Sequence, residues 1–181
     1  LMEVEPHEFK YYFEKLLLGE YHVAKKMRLY GKLDDRSLPP VLNEYTILSA
    51  EGKVIKIDVE RNGEEVLTFL GDGIIIAPTT GSTGYSLSAG GPIIDEDLDA
   101  IVITPINPMQ LYVRPIVFSS ESRIVVRVRG RPYSACLFVD GQLKIPVKPE
   151  SVLEVFKGDF VRFIRFKRNF YEKILRRLEV L

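Results

Sequence analysis

The stretch from Gly71 to Pro92 gathers the residue types that could hold a small polar ligand. It runs Gly71-Asp72-Gly73, then the apolar Ile74-Ile75-Ile76-Ala77, then Pro78-Thr79-Thr80-Gly81-Ser82-Thr83-Gly84-Tyr85-Ser86-Leu87-Ser88-Ala89-Gly90-Gly91-Pro92. Glycines let a ligand approach the backbone. Amides at the start of a helix favour anions, and the hydroxyls of Thr80, Thr83, Ser86 and Ser88 add donors and acceptors. Tyr85 sets an aromatic face beside them, which suits a stacked planar ring. Asp72 places a carboxylate at the entrance of the apolar run, where it could accept hydrogen bonds from an amide or a diol. The other reading of these residues is a structural turn rich in small side chains. No Gly-Lys-Ser/Thr follows, so this is not a Walker loop, and the Gly-x-Gly-x-x-Gly fingerprint is also absent.

These residues need elements to position them. Ile74 to Ala77 and Ile101 to Ile103 are unbroken apolar runs, the pattern of strands buried on both faces. A short helix is expected at 85–89. Elsewhere, from about Val23 to Phe166, short runs alternate between apolar and polar. Ile55, Ile57 and Val59 alternate with charges, Asn62-Gly63 supplies a hairpin turn, and Val66 to Leu70 returns. Arg123 to Arg129 alternates again. Gly130-Arg131-Pro132 turns the chain toward Ser134 to Val139, and Asp140-Gly141 marks the turn to Leu143–Val147. Strands at Val152 to Phe156 and Phe160 to Phe166 are expected on either side of a Lys157-Gly158-Asp159 turn. Helices are expected at 6–18, stopped by Gly19, and at about 170–180, with Lys173, Arg176 and Arg177 near its C-terminal end. The fold class is therefore mainly β (α+β), a sandwich-like β domain with flanking N- and C-terminal helices.

Composition narrows the functions. The chain has 181 residues, with 25 basic and 25 acidic side chains and a formal net charge of zero. A broad nucleic-acid footprint needs an excess of Lys and Arg, so nucleic acid is not an expected partner. Arg123, Arg127 and Arg129 could bind phosphate, but a solvated strand face is the favoured reading. The single Cys136 excludes an internal disulfide framework and is expected to pack in a strand. Two histidines, His7 and His22, make zinc chemistry improbable and read as surface residues. No apolar run reaches membrane-spanning length and no signal peptide opens the chain, so a cytoplasmic location is expected. The opening Leu1-Met2-Glu3-Val4 suggests a chain taken from something longer.

The run Pro78 to Pro92 resembles the signature of NAD kinases, usually Thr-Pro-Thr-Gly-Ser-Thr-Ala-Tyr-Ser-Leu-Ser-Ala-Gly-Gly-Pro. Asn43-Glu44 resembles the family's Asn-Glu pair. Asp99 to Ile106 with Arg114-Pro115 resembles the following strand and its exit, and Val139-Asp140-Gly141-Gln142 resembles the late Asp-Gly-Gln turn. Three positions depart from the pattern: Gly84 replaces an alanine, Leu70 a frequent arginine, and Met109 a common histidine.

The resemblance implies the C-terminal half of an enzyme that transfers the γ-phosphoryl group of ATP to the 2′-hydroxyl of the NAD adenosine ribose. It implies an NAD site formed by Asn43, Glu44, Asp72, Thr80, Thr83, Gly84, Tyr85, Ser86, Leu87, Ser88, Asp140 and Gln142, with Lys53 roughly where the family often has a basic residue. Asp72 would lie at the nicotinamide end and residues 83–88 by the adenosine. The family's catalytic Gly-Gly-Asp-Gly-Thr is not in this sequence, so no catalytic or metal-binding residue is expected in it. ATP and its divalent metal (Mg) would bind through a missing N-terminal α/β domain, leaving NAD or NADP to this chain, which would be inactive alone. Residues 1–22 would belong with that domain, 23–166 would form the NAD-binding domain, and the helix at 167–181 would pack back on the N-terminal domain. A homo-oligomer, dimer or tetramer, is expected. Two alternatives stay open: a non-catalytic NAD(P)-binding or assembly module, and a related lipid or sugar kinase.

Overall fold

Alternation and turn chemistry resolve into strands almost throughout. A computed structural model of the chain describes residues 4–129, 135–167 and 169–179. Its strands are β1 (His22–Leu33), β2 (Arg36–Ser37), β3 (Tyr45–Ser49), β4 (Ile55–Arg61), β5 (Glu64–Gly71), β6 (Gly73–Pro78), β7 (Ala100–Ile106), β8 (Ile116–Ser119), β9 (Ile124–Arg129), β10 (Ala135–Val139), β11 (Leu143–Val147) and β12 (Val152–Arg165). The helices are α1 (Phe9–Leu17), α2 (Tyr85–Ser88) and α3 (Phe170–Glu179). They form two six-stranded sheets, ordered β2-β1-β12-β9-β4-β5 and β11-β10-β3-β6-β7-β8.

The period-2 pattern dictates what each sheet buries. Ile57 and Val59 of β4, Ile124 and Val126 of β9, and Leu153 and Val155 of β12 face inward from the first sheet. Tyr45, Ile47, Ile74, Ile76, Ile103 and Leu137 meet them from the second, in one core cluster. Each such large apolar side chain contributes about 1.5–3 kcal/mol. The other face of β6 and β7 forms a second cluster, in which Ile75, Ala77 and Val102 pack with Ile94 and Ala100. That covering explains the unbroken apolar runs, since every residue of β6 and β7 is buried.

The two hairpin turns behave as their residues require. Asn62 and Gly63 have φ of 52° and 85°, and Asp140 and Gly141 have 47° and 67°. Positive φ at both central positions is the type I′ requirement that Asn-Gly and Asp-Gly meet. Gly19, with φ 75°, follows the end of α1 as expected. Cys136 is buried in β10. The expected turn at Gly130-Arg131-Pro132 lies outside the described residues.

Two expectations need correction. Lys157-Gly158-Asp159 is no turn, because β12 runs through it as one strand. Gly158 instead makes room for a neighbour: a Cβ there would lie 2.4 Å from Cδ1 of Tyr30 in β1. Asp159 takes two hydrogen bonds from Arg28, at 2.8 and 2.6 Å. A glycine inside a strand that marks a close approach looks, in sequence, like one that marks a turn. The alternation also names no strand between Val23 and Asn43, yet β1 occupies twelve residues there. Exposure alternates along the whole strand, but the inner positions are buried only from Met27 onward; before it they are His22, Ala24 and Lys26, which give no apolar alternation in sequence.

Met27–Asp159 forms one compact unit, and Leu1–Lys26 with Phe160–Leu181 forms another. The first contains both core clusters. Within the second, the rings of Tyr12 and Phe166 lie 4.9 Å apart, and Lys167 sits 5.2 Å from the Tyr12 ring centroid.

Candidate functional site

The glycine and hydroxyl segment leaves the buried end of β6 at Pro78, makes a 3₁₀ turn over Thr79–Thr83, and enters the single-turn α2. Several of its hydroxyls are spent inside the protein. The Thr79 hydroxyl donates to the Leu98 carbonyl and accepts from the Ala100 amide at 3.2 Å. Ser82 is fully buried, donates to the Thr79 carbonyl at 2.7 Å, and accepts from the Ile94 amide at 3.3 Å. Ser86, also fully buried, shares a 2.7 Å hydrogen bond with Thr104 of β7. Gly91 lies against that pair, where a Cβ would sit 2.3 Å from the Ser86 hydroxyl. The side that remains open carries Thr80, Thr83, Gly84 and Leu87, all half-buried, with Ser88 and Tyr85 exposed. Tyr85 is 41% exposed.

Asn43 and Glu44 lie directly against this loop. A Cβ on Gly81 would come within 1.8 Å of the Asn43 carbonyl oxygen, so only glycine fits there. A Cβ on Gly84 would lie 3.6 Å from Oε2 of Glu44. Asp140, at the β10–β11 turn, holds the Asn43-Glu44 segment from the other side. Its Oδ2 accepts from the Leu42 amide at 2.9 Å, and its Oδ1 from the amides of Asn43 and Glu44 at 2.8 and 3.0 Å. The Asp140 amide donates back to the Glu44 carbonyl at 3.0 Å. Burial, and then the Asp140 charge, push the Glu44 carboxyl above the usual range. The same two causes raise the Tyr45 phenol, which donates to the Pro39 carbonyl at 2.6 Å. Gln142 is exposed in the same turn as Asp140.

Asp72 sits at the far end of β6. It is the one residue between β5 of the first sheet and β6 of the second, a crossing between sheets and not a hairpin turn. Its amide donates to the Ile106 carbonyl, its carbonyl accepts from the Ser49 amide, and its Oδ2 accepts from Asn107 Nδ2 at 2.8 Å. Both flanking glycines are enforced, since a Cβ on Gly73 would lie 2.1 Å from the Ile47 oxygen and one on Gly71 2.9 Å from the Ile106 oxygen. The length of β6 separates Asp72 from Thr80 to Ser88 by roughly 20 Å, at about 3.3 Å per residue. Lys53 lies in the β3–β4 connection, exposed, with Glu51 at 3.7 Å.

The structure thus brings together Asn43, Glu44, Gly84, Asp140 and the Thr80–Ser88 loop, and sets Asp72 apart along β6. Two supporting residues were not picked out by sequence reasoning, Thr104 behind Ser86 and Asn107 beside Asp72. Asn107, with φ 45° and Pro108 after it, carried a usable turn signal. Thr104 in an apolar strand carried none. Arg123, Arg127 and Arg129 each face an acid on a neighbouring element. Arg123 pairs with Glu154, Arg127 with Glu60 at 3.1 Å, and Arg129 with Asp58 at 2.7 Å. A solvated, ion-paired strand face is what the structure has there.

Two antiparallel sheets thus present a glycine and hydroxyl loop, an acidic turn and an exposed aromatic residue at one end of β6. The ATP-NAD kinase C-terminal domain family matches residues 42–166. The NAD kinase of Thermococcus kodakarensis is 38% identical over 96% of this chain, and that of Thermococcus gammatolerans is 37% identical over 99%. The chain spans 63% and 66% of the lengths of those two relatives. A crystal structure of an NAD kinase from Archaeoglobus fulgidus in complex with ATP superposes with a TM-score of 0.81 at 28% identity, over 97% of this chain and 69% of that one. Yeast NADH kinase complexed with NADH shares the fold, with a TM-score of 0.86 at 23% identity, over 97% of this chain and 55% of that one. The chain belongs to the ATP-NAD kinase family and corresponds to its C-terminal domain. Among the described residues, no helix is long and apolar enough to cross a membrane.

Proposed function

We propose that this chain is the dinucleotide-binding half of an NAD kinase, a transferase that phosphorylates the 2′-hydroxyl of the NAD adenosine ribose with ATP to give NADP. The observation that carries this reading is the convergence of Asn43-Glu44, the Gly81–Tyr85 loop and Asp140 at one end of β6, with Asp72 at the other. A dinucleotide is long and polar at both ends, and this arrangement offers polar groups about that far apart. Tyr85 would stack on a ring, Thr80, Thr83 and Ser88 would meet ribose hydroxyls, and Asn43 and Glu44 would take polar edges. Leu87 and Gly84 would line the loop side, Gln142 would close the site from the late turn, and Asp72 would hold the nicotinamide end, with Lys53 on that side.

Residues 23–166 would be the binding domain, with 1–22 and 167–181 packed on a preceding α/β domain. Phosphoryl transfer depends on positioning and on charge stabilisation around the phosphates. The sequence has no Gly-Gly-Asp-Gly-Thr, so this chain would bind without turnover. Among the described residues, no three His, Cys, Asp or Glu side chains are grouped to hold a metal ion. In this proposal ATP and its divalent ion would bind through the preceding α/β domain. Assembly into a homo-oligomer in the cytoplasm completes the proposal.

Titration of the 181-residue chain with NADP and NAD, beside a Tyr85→Ala variant, tests the reading. Saturable binding is expected, weaker by about 5- to 150-fold in the variant, because a base–aromatic stack is worth roughly 1–3 kcal/mol. Equal binding by both proteins would remove Tyr85 from the site. No binding by the folded parent chain would remove the dinucleotide.

A further inference from the structure

Asp140 differs from the other residues proposed to meet the ligand, because its side chain is already occupied. An ionised carboxylate offers about four acceptor positions, and three successive amides, those of Leu42, Asn43 and Glu44, take up three at 2.8–3.0 Å. Both oxygens are engaged. The backbone adds a fourth link through the Asp140 amide and the Glu44 carbonyl.

The residue type points the same way. At φ 47° the first position of a type I′ turn takes Asn, Asp or Gly, and the β4–β5 hairpin uses Asn62 at φ 52° in the corresponding place. Turn geometry alone would accept asparagine at 140. Asparagine, however, has one acceptor oxygen and an NH₂ group that would meet an amide N–H donor to donor. Only the carboxylate serves amides on both of its oxygens. It does so although its charge helps raise the nearby Glu44 carboxyl.

From these contacts we infer that Asp140 is a positioning residue and does not itself touch the ligand. It fixes the Leu42–Glu44 backbone, and so sets Asn43 and Glu44 against Gly81 and Gly84 before any ligand arrives. The inference rests on the dinucleotide reading above. Its consequence reaches the loop, because the Asn43 carbonyl lies where a Gly81 side chain would be, so the loop backbone packs directly on the segment that Asp140 holds.

The test combines amide exchange with binding, on the parent chain and on Asp140→Asn. In the parent without ligand, the amides of Leu42, Asn43 and Glu44 are expected to be protected already. Their protection appearing only on addition of NADP would overturn the inference without any variant. Asp140→Asn is expected to fold, to lose that protection, and to bind NADP at least tenfold more weakly. In the Glu44→Gln background the same change should cost less than tenfold, because residues acting as one unit are not additive. Unprotected amides with unchanged NADP affinity would overturn the positioning role and leave the site reading intact. Weakened binding with the amides still protected would make Asp140 a direct contact. A parent chain that fails to bind NADP would sink the site reading, and the inference with it, before any variant is compared.

Discussion

At the scale of single residues, Glu44 shows how a position proposed for binding can oppose stability. Its carboxyl is partly desolvated and lies near Asp140, and both effects favour the protonated form in the folded chain. A raised folded-state value means that the contribution of Glu44 to stability is greatest below the usual carboxylate range and is lost as pH rises through the raised value. Glu44→Gln removes that penalty. The variant is expected to be more stable than the parent at pH 7, by on the order of 0.5 kcal/mol after discounting for partial exposure, or about 1–2 °C in Tm. The gain should vanish near pH 4, while NADP affinity falls at pH 7. Thermal melts at the two pH values check the sign, and a variant destabilised at pH 7 would mean that the carboxylate has a favourable partner. Asp58 has the opposite sign. Desolvation works against its charge, but hydrogen bonds from Arg129 and Thr68 outweigh it and hold the carboxyl below the usual range. That contribution is present above the usual carboxylate range and is lost on acidification.

At the scale of elements, the glycines of the signature loop divide by what stands opposite them. Gly81 faces a backbone oxygen at 1.8 Å from its ideal Cβ, which no rotamer change can relieve, whereas Gly84 has 3.3 Å to the Gly81 oxygen and 3.6 Å to Glu44. Gly81→Ala is therefore expected to cost about 1–3 kcal/mol or more and to displace Asn43. Gly84→Ala should cost under about 1 kcal/mol and keep NADP binding within threefold. Urea unfolding of both variants checks the contrast, and equal losses would contradict it. The same elements show how far sequence carries. The buried pair β6 and β7, both Asx-Gly hairpins and α2 follow from local patterns, so they were legible. The partnership of Ser86 with Thr104 was not, because it joins residues 18 apart that share no periodicity. Ser86 reads in sequence as one more hydroxyl of the loop, and its burial, its bond to Thr104 and the close approach of Gly91 emerge only in the fold. The continuity of β12 through Gly158 was missed for a related reason, since the demand on Gly158 comes from Tyr30 on a different strand.

At the scale of the whole molecule, the two compact units differ in what they bury. Within Met27–Asp159 both sheets contribute to a continuous core, and β6 and β7 are buried throughout. Within the other unit, Tyr12 is the one buried residue of α1, while Phe9, Phe13 and Leu17 stay exposed at 63%, 46% and 71%. In α3, Ile174 is buried, but Tyr171, Leu175 and Leu178 are not. The apolar side chains of both helices thus find few partners within their own unit. Helices of nine and ten residues are marginal without packing. Local opening free energy follows buried apolar contact, so amides of α1 and α3 are expected to exchange at least a hundredfold faster than those of β6 and β7 under native conditions, a gap of about 2.7 kcal/mol or more. Exchange followed by mass spectrometry on the isolated chain reads this directly. If a preceding α/β domain covers these helices, as proposed, joining the upstream sequence to the chain should slow exchange in α1 and α3 and leave β6 and β7 unchanged. Exchange in α1 as slow as in β6 in the isolated chain would show that the helices need no such cover.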